Sequence, residues 1–258
     1  MTVDATSLKD RTVLLTGASR GIGAATARVL AERDATLIGQ YRSGFVGAEV
    51  ATSALPDDQR LLLAADFAVP GAGRELWRRA AAWGNRIDAL VVNAATLPAT
   101  PIDGDDESWD AGWEQAMRVN VLEPAALIRE AVAYFLTQGG GTIVVLSSWA
   151  AEQGSRIPAL GAYAASKAAL RNLAQTVARN YARDGIQVHV LAPGVVRTEM
   201  AGASDDLRPD GTRVEDTLAS GRLVEPDEVA ELIALLATGR FPNLSGSTLD
   251  LNGATYVR

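Results

Sequence analysis

Seven short apolar runs, rich in β-branched residues, alternate along the chain with longer alanine-rich stretches. Each run is continuously apolar instead of alternating apolar with polar, which is typical of parallel strands buried on both faces. The runs predict strands at Thr12 to Thr16, Thr36 to Gly39, Leu61 to Ala65, Ala89 to Val92, Thr142 to Leu146, Gln187 to Leu191 and Thr248 to Leu251. The stretches between them predict helices near Gly21–Arg33, Gly44–Ala54, Gly71–Ala82, Ser108–Thr137, Ala159–Arg183 and Pro226–Ala237.

This alternation indicates an α/β fold in which a doubly wound parallel sheet is covered by helices on both faces. With 258 residues, of which 48% are hydrophobic, the chain is long enough for a single domain over residues 1–258. The segment from Glu199 to Val224 lacks clear periodicity and is rich in Gly, Ser, Asp and Arg. Because it follows the carboxyl end of a strand, where ligands bind in such sheets, we expect a substrate lid at 199–224; the alternative is a solvated loop.

The composition excludes several classes of function. The chain has no cysteine, so it has no disulfide, thiolate nucleophile or cysteine-based metal site, and we expect no metal to be needed. Met1 to Asp10 are polar and acidic, unlike a signal peptide, and no apolar run is long enough to cross a membrane. We therefore expect a cytoplasmic protein. A net charge of −7 argues against nucleic acid as a partner.

The first predicted strand runs directly into Thr16-Gly17-Ala18-Ser19-Arg20-Gly21-Ile22-Gly23 and then into a helix-forming stretch. Gly17 permits a tight turn, Gly21 lets backbone approach a pyrophosphate, and Gly23 lets the helix pack against the strands. The helix N-terminus then attracts the phosphates. Three glycines alone occur in ordinary turns, but the order of strand, loop and helix favours a dinucleotide-binding site. No Lys-Ser or Lys-Thr follows the last glycine, so the loop is not a P-loop.

The end of the second strand bears on the choice between NAD and NADP. A protein selective for NAD usually has an acidic residue there, which binds the ribose 2′-hydroxyl. Here the residues are Gln40, Tyr41, Arg42 and Ser43. Arg42 and Arg20 together could bind a 2′-phosphate, and two charge-assisted contacts would favour NADP(H) over NAD(H) on the order of a hundredfold. The alternative is that Arg42 is a solvated surface arginine.

Tyr163 and Lys167 are four residues apart in an alanine-rich helical stretch and so share a helix face. A tyrosine is a poor acid-base catalyst at neutral pH because its pKa is about 10. An ammonium group about 5 Å away could supply roughly 3 kcal/mol toward lowering that pKa, and the charge of an oxidised nicotinamide could supply the remainder. The spacing alone usually means a surface pair.

Other polar residues strengthen the interpretation of this pair. The predicted fifth strand ends in Ser147-Ser148, at the edge of the sheet where ligands bind. Asn120 lies in an otherwise helical run, where a buried amide is equally well explained as a satisfied core group. His189, the sole histidine, is flanked by valines, and we expect it to be packed and not catalytic.

With these residues the chain resembles the short-chain dehydrogenase/reductase family along nearly its whole length, and most closely its 3-oxoacyl-[acyl-carrier-protein] reductase-like members. The resemblance implies a Rossmann fold with strand order 3-2-1-4-5-6-7 and assembly as dimers or tetramers. The matching motifs are Thr16–Gly23, Asp66, Asn93-Ala94, Asn120, Ser148, Tyr163 with Lys167, and Pro193-Gly194 followed by Thr198.

The resemblance also implies roles for these residues. Tyr163 would be the general acid or base, Ser148 would orient the substrate oxygen, with Ser147 as the less favoured alternative, and Lys167 would lower the Tyr163 pKa and hold the nicotinamide ribose. Asn120 would position a water in a proton relay to Lys167. The remaining cofactor contacts would come from Asp66 near the adenine, Phe67, Asn93, Ala94, Pro193, Gly194, and Val196 and Thr198 at the carboxamide.

Three departures from the family pattern concern the walls of the site. Ala95 stands where glycine is usual, and His189 stands where asparagine is frequent. The interval between Ser148 and Tyr163 is slightly longer than usual, which would change the pocket wall and leave the chemistry unaltered. Candidate substrate-pocket residues are Trp149, Arg156 and Met200.

The sequence therefore predicts an enzyme that transfers a hydride between NADP(H) and a ketone or secondary alcohol, with Tyr163 exchanging the proton. Reduction of a ketone is the expected direction, and alcohol oxidation remains open. The alternatives are a non-catalytic dinucleotide-binding sensor and a non-redox lyase or epimerase that uses the same tyrosine.

Overall fold

The computed structural model describes residues 6–84, 86–205, 207 and 213–257. Its centre is a parallel sheet of seven strands in the order β3-β2-β1-β4-β5-β6-β7. The strands are β1 (Thr12–Thr16), β2 (Thr36–Tyr41), β3 (Arg60–Ala64), β4 (Ala89–Val92), β5 (Gly141–Leu146), β6 (Ile186–Pro193) and β7 (Thr248–Leu251). The predicted Rossmann fold and its strand order are thereby confirmed.

The central strands are buried on both faces, as their continuous apolar sequences require. Every residue of β1 and β4 is buried. The registers pair Leu14 with Ile38 on one side and with Leu90 on the other. Since all strands are parallel, their carboxyl ends meet at one edge of the sheet, and the strand order reverses between β1 and β4.

Helices cover the two faces of the sheet, and one apolar core lies on each face. One core packs β1, β2 and β6 against the first and last long helices, and the other lies under the helices that follow β3, β4 and β5. The helices are α1 (Gly21–Glu32), α2 (Phe45–Ala51), α3 (Ala72–Ala81), α4 (Asp106–Met117), α5 (Glu123–Gln138), α6 (Ala150–Gln153), α7 (Gly161–Tyr181), α8 (Glu199–Asp205) and α9 (Pro226–Ala237).

The prediction of a single continuous helix over Ser108–Thr137 is wrong, because the structure divides this stretch. Between α4 and α5 the chain forms a π-helical segment at Arg118–Leu122, which contains the buried Asn120. The segment ends where Pro124 occupies the first turn of α5. A proline has no N–H to donate, so the α-helical hydrogen-bond pattern is interrupted next to it.

The irregular segment 199–224 contains more regular structure than the sequence predicts. It begins with α8, includes a 3-10 turn at Val214–Thr217, and closes with a bridge between Val224 and Val196. Residues 206 and 208–212 of the expected lid lie outside the described part of the chain. None of the described helices has the length and apolar character that a membrane span requires.

Candidate active site

A cleft of about 920 Å³ opens at the carboxyl edge of the sheet. It runs past the glycine loop, the ends of β2, β4 and β5, the start of α7 and the start of α8. Eighteen of the predicted site residues contribute to its lining: Gly17, Ser19, Arg20, Gly21, Ile22, Gly23, Arg42, Asp66, Phe67, Asn93, Ala94, Ser148, Tyr163, Lys167, Pro193, Gly194, Val196 and Thr198. A separate cavity of about 430 Å³ beside β7 contains none of them.

The glycine loop is built so tightly that side chains are excluded. Gly17 and Gly21 have φ values of 74° and 52°, which favour glycine. A Cβ on Gly23 would stand 1.8 Å from the Gly17 carbonyl oxygen. The backbone of the loop therefore folds back on the first turn of α1, as the spacing of the glycines predicts.

The start of α1 has the properties of an anion site. Its N-cap residue, Arg20, makes no side-chain capping hydrogen bond, and the first turn has no acidic residue. The first backbone N–H groups of a helix lack partners within the helix and carry partial positive charge. Together with the cradle that a Cβ would fill, this end of α1 fits the pyrophosphate of a dinucleotide.

Two buried polar side chains that the sequence did not assign hold the loop in place. Gln40, at the end of β2, accepts a hydrogen bond from Gly17 N at 2.7 Å and donates one to the Ala65 carbonyl at 2.7 Å. Thr16 Oγ1 accepts from the backbone N–H groups of Asn93 and Ala94 at 2.9 and 3.0 Å. A glutamine at the end of an otherwise apolar strand was the available signal.

The two arginines predicted for a 2′-phosphate have different surroundings. Arg42 follows β2, is exposed, and lines the cleft. Arg20 lines it too, but its guanidinium forms an ion pair of 2.8 Å with Glu199 at the start of α8. This contact joins the glycine loop to the segment 199–224. An arriving phosphate would thus compete with Glu199 for Arg20, a competition that the sequence did not reveal.

The other expected cofactor contacts occupy neighbouring strand ends. Asp66 turns the chain after β3 by accepting the Ala68 N–H at 2.9 Å, and Phe67 is buried in the core at the cleft wall. Asn93 donates to the Thr16 carbonyl at 2.9 Å, so its side chain supports the glycine loop. Its neighbour Ala94 lies against Gly17, where a Cβ on the glycine would approach to 3.1 Å.

The chain after β6 passes over the start of α1. The Gly194 N–H donates to the Leu251 carbonyl at 2.8 Å, which ties the turn after Pro193 to β7. A Cβ on Gly21 would meet the Thr198 methyl group at 3.1 Å. Thr198 donates to the Val196 carbonyl at 3.3 Å. These residues therefore form the wall of the cleft beside the start of α1.

Tyr163 and Ser148 meet inside the cleft through a hydrogen bond between their side chains. Burial raises the pKa of the Tyr163 hydroxyl, and the Ser148 hydrogen bond lowers it only in part. Desolvation of the phenolate therefore has the larger effect on this pKa, and the lowering expected from Lys167 stays a prediction. Ser147 is directed elsewhere and donates to the Lys167 carbonyl at 3.2 Å. Of the two serines, Ser148 is the one that contacts the tyrosine.

Lys167 is buried beside the tyrosine ring. Its Nζ lies 5.9 Å from the ring centroid of Tyr163 and donates to the Leu146 carbonyl at 2.7 Å. Burial lowers the pKa of Lys167 to about 8. An ammonium has three protons to donate, so this one hydrogen bond leaves donors that suit ribose hydroxyls.

The pKa of Lys167 predicts a pH-dependent stability. Between about pH 8 and 10.5 the unfolded chain holds a proton that the folded chain has lost, so stability rises with pH in this window. Relative to a Lys167→Met variant, the wild-type unfolding free energy should increase by about 1–2 kcal/mol from pH 8 to 9.5. Urea unfolding of both proteins across this range measures the difference, and a pH-independent difference would contradict the assigned pKa.

Asn120 is fully engaged by the protein. Its Oδ1 accepts the Thr96 N–H at 2.8 Å, and its Nδ2 donates to the Thr96 carbonyl and to Ser166 Oγ, both at 3.0 Å. The side chain thereby fixes the strand-end turn after β4 against α7. Asn120 is therefore a satisfied core amide, which is one of the two explanations that the sequence allowed. A proton relay from Asn120 to Lys167 would have to use the main chain of Asn120, because its side chain is occupied.

His189 is buried in β6 opposite Val144. Burial lowers its pKa, so the ring is uncharged at neutral pH. It does not line the cleft. The structure agrees with the expectation that His189 is packed in the sheet and is not catalytic.

Known proteins resemble this chain over almost its entire length. A family model described as enoyl-(acyl carrier protein) reductase matches residues 17–253. Protein FixR from Bradyrhizobium diazoefficiens is 37% identical over 96% of this chain and 87% of its own length. The cis-4-hydroxycyclohexanecarboxylate dehydrogenase of Sinomonas cyclohexanicum is 34% identical over 95% and 96% of the two chains. A 3-oxoacyl (acyl-carrier-protein) reductase structure from Agrobacterium tumefaciens, with NADP bound, has a TM-score of 0.84 at 28% identity, covering 96% of this chain and 95% of that one.

The chain belongs to the short-chain dehydrogenase/reductase family, which confirms the resemblance noted from its motifs. It is an oxidoreductase of that family, and a non-catalytic sensor is not favoured.

Proposed function

We propose that the protein is an NADP(H)-dependent reductase of ketones, with Asn120, Ser148, Tyr163 and Lys167 as its catalytic group. The observation that carries the proposal is the contact of Ser148 with Tyr163 in a cleft that also contains Lys167 and the glycine loop. Two hydroxyl groups that meet in the cleft can both donate hydrogen bonds to a carbonyl oxygen. The NADP-bound relative supports the choice of cofactor.

The chain's own residues account for the proton transfer. Because burial keeps the Tyr163 pKa above its usual value, the hydroxyl is protonated at neutral pH and can donate to a developing alkoxide. Ser148 donates a hydrogen bond to the same oxygen and orients the carbonyl. The Lys167 ammonium stabilises the tyrosinate left behind. Asn120 holds Thr96, which lines the cleft, against Ser166 on the helix that carries Tyr163, and so would position the tyrosine.

The cofactor would be held along the ends of the strands. Gly17, Ser19, Gly21, Ile22 and Gly23 would hold the pyrophosphate at the start of α1. NADPH, when bound, supplies the hydride. The other contacts would come from Arg20, Arg42, Asp66, Phe67, Asn93, Ala94, Lys167, Pro193, Gly194, Val196 and Thr198.

Arg42 supplies a test of the preference for NADP(H). Its exposed guanidinium has no carboxylate partner among the described residues, whereas Arg20 is paired with Glu199. Arg42→Asp should raise the KM for NADPH by about ten- to a hundredfold and leave the KM for NADH within about threefold. Initial rates with both cofactors measure this. Equal effects on the two cofactors would exclude Arg42 from the 2′-phosphate site.

The activity itself is tested by following NADPH absorbance with a panel of ketones. The panel should include 4-oxocyclohexanecarboxylate, a 3-oxoacyl thioester, simple cyclic ketones, and an enoyl thioester as the alternative that the family description suggests. Turnover of ketones with no turnover of the enoyl thioester supports the proposal. Turnover of the enoyl thioester alone would overturn it.

We further propose that the protein is cytoplasmic and forms a single domain over 1–258, with a lid at 199–224. We propose that it assembles as a homodimer or homotetramer. The exposed apolar side chains of Leu122 and Leu136, on the π-helical segment and α5, support assembly through these helices. The ion pair of Glu199 with Arg20 supports a role for the lid segment in covering the cofactor. Light scattering of the purified protein measures the oligomeric state.

A further inference from the structure

The cleft is more positive than the chain as a whole. The chain has a net charge of −7, yet basic side chains outnumber acidic ones in the described cleft lining. Four are basic and two are acidic: Arg20, Arg42, Arg156 and Lys167 against Asp66 and Glu199. Clefts lined by one sign of charge concentrate ligands of the opposite sign.

Three of the four basic side chains already have a partner or a proposed role. Arg20 pairs with Glu199, and Lys167 lies under the Tyr163 ring. Arg42 follows β2, which is three strands away from β5 and its Ser148. Neighbouring strands are about 4.8 Å apart, so Arg42 is roughly 14 Å from the reacting hydroxyls. Arg156 is the basic residue that remains.

Arg156 lies between α6 and α7 and lines the same cleft as Ser148 and Tyr163. Its side chain is exposed, and it makes no hydrogen bond or ion pair with another residue that the structure describes. The backbone around it is held: the Ile157 N–H donates to Ser155 Oγ at 3.0 Å, and the Ile157 side chain is 6% exposed. The Arg156 guanidinium can therefore bind a ligand, and the backbone that carries it is held in place.

The segment that carries Arg156 is also anchored to the chain that follows β4. Thr100 N donates to the Ala159 carbonyl at 2.6 Å, and Thr100 is itself completely buried. Between Ser148 and Arg156 the cleft wall carries the indole of Trp149, and after Arg156 it carries Ile157 and Leu160. These apolar groups suit a hydrocarbon body between a carbonyl and a charged group.

We propose that Arg156 determines specificity by binding a carboxylate of the substrate at a distance from the reacting carbonyl, so that the substrates are oxo acids and their hydroxy acids. The proposal rests on the proposed ketone reductase activity and names its substrate class. The planar guanidinium binds a carboxylate through two parallel hydrogen bonds. Tyr163 and Ser148 hold the ketone oxygen, so the two ends of the substrate are held separately.

The test compares matched charged and neutral substrates in matched variants. The substrates are 4-oxocyclohexanecarboxylate and its methyl ester, with dihydroxyacetone phosphate and dihydroxyacetone as a second pair that separates a phosphate from a carboxylate. The variants are Arg156→Gln, Arg156→Lys and Arg179→Gln. Arg179 is an exposed arginine near the end of α7 and does not line the cleft.

The wild-type enzyme should prefer the oxo acid to its ester in kcat/KM. Arg156→Gln should lower kcat/KM for the oxo acid by about ten- to a hundredfold and change the ester by less than about threefold. The loss should fall mainly on KM, because the carboxylate contact is made equally in the ground and transition states. Arg156→Lys should restore part of the preference, and Arg179→Gln should behave as wild type. NADPH affinity and melting temperature should be unchanged in every variant.

Equal loss for the oxo acid and its ester in Arg156→Gln would overturn the proposal, as would a wild-type preference for the ester. A preference confined to the phosphate pair would overturn the carboxylate assignment. In each of these cases ketone turnover persists and the proposed function stands. If the wild-type protein reduces no ketone of the panel with NADPH, the proposed function itself fails.

Discussion

Tyr163→Phe is expected to lower kcat/KM for ketone reduction by about a thousandfold, within the range that general acids contribute. The substitution removes one hydroxyl, the atom that contacts Ser148, and leaves the ring beside Lys167 Nζ. NADPH affinity should stay within about threefold of wild type, because the glycine loop and α1 are untouched. Steady-state kinetics and a fluorescence titration of NADPH measure the two quantities separately.

The matched control is Tyr181→Phe at the end of the same helix. Tyr181 packs against the second apolar core and does not line the cleft. This variant should keep wild-type kinetics. If Tyr163→Phe kept more than about a tenth of the wild-type activity, the proton donor would have to be another group, and Ser148 would be the first to test.

Gly23→Ala should abolish measurable NADPH binding, with at least a hundredfold loss of affinity. The new methyl group would stand 1.8 Å from the Gly17 carbonyl oxygen and 2.7 Å from Asn93 Nδ2, so the loop would have to move away from α1. Overpacking of this kind costs about 1–3 kcal/mol of stability. Titration with NADPH and thermal melting measure the two effects.

Gly161→Ala is the control for adding a methyl group to a helical glycine. A Cβ at Gly161 meets nothing within 4 Å, and the residue is exposed at the start of α7. Alanine is the better helix former, so stability should hold or rise slightly while binding stays unchanged. Normal NADPH binding by Gly23→Ala would show that the loop does not hold the cofactor.

Most of the sheet could be predicted from the sequence because buried parallel strands need continuous apolar runs. The bounds of β1, β4 and β7 are as predicted, and the others differ by one or two residues at an end. The order of the strands came from family resemblance, since apolar runs do not say which of them are neighbours. The π-helical segment at Arg118–Leu122 was missed, although Pro124 was visible inside the predicted helix.

The sequence by itself determined which elements form and which chemical groups are present: a glycine loop before a helix, a tyrosine and a lysine four residues apart, and a serine at a strand end. These depend on local periodicity and on residue types. Tertiary structure decided which groups meet. Ser148 and not Ser147 contacts Tyr163, Asn120 is committed to Thr96, and Arg20 is paired with Glu199.

Such partners lie far apart in the chain, and Arg20 and Glu199 are separated by 179 residues. A hydrogen bond or ion pair forms only where packing brings two groups within about 3 Å in the right direction, and no local pattern encodes that approach. The burial of a side chain likewise is not encoded by a local sequence pattern. It raises the pKa of Tyr163 and lowers that of Lys167, because the desolvation of each group depends on the elements packed around it.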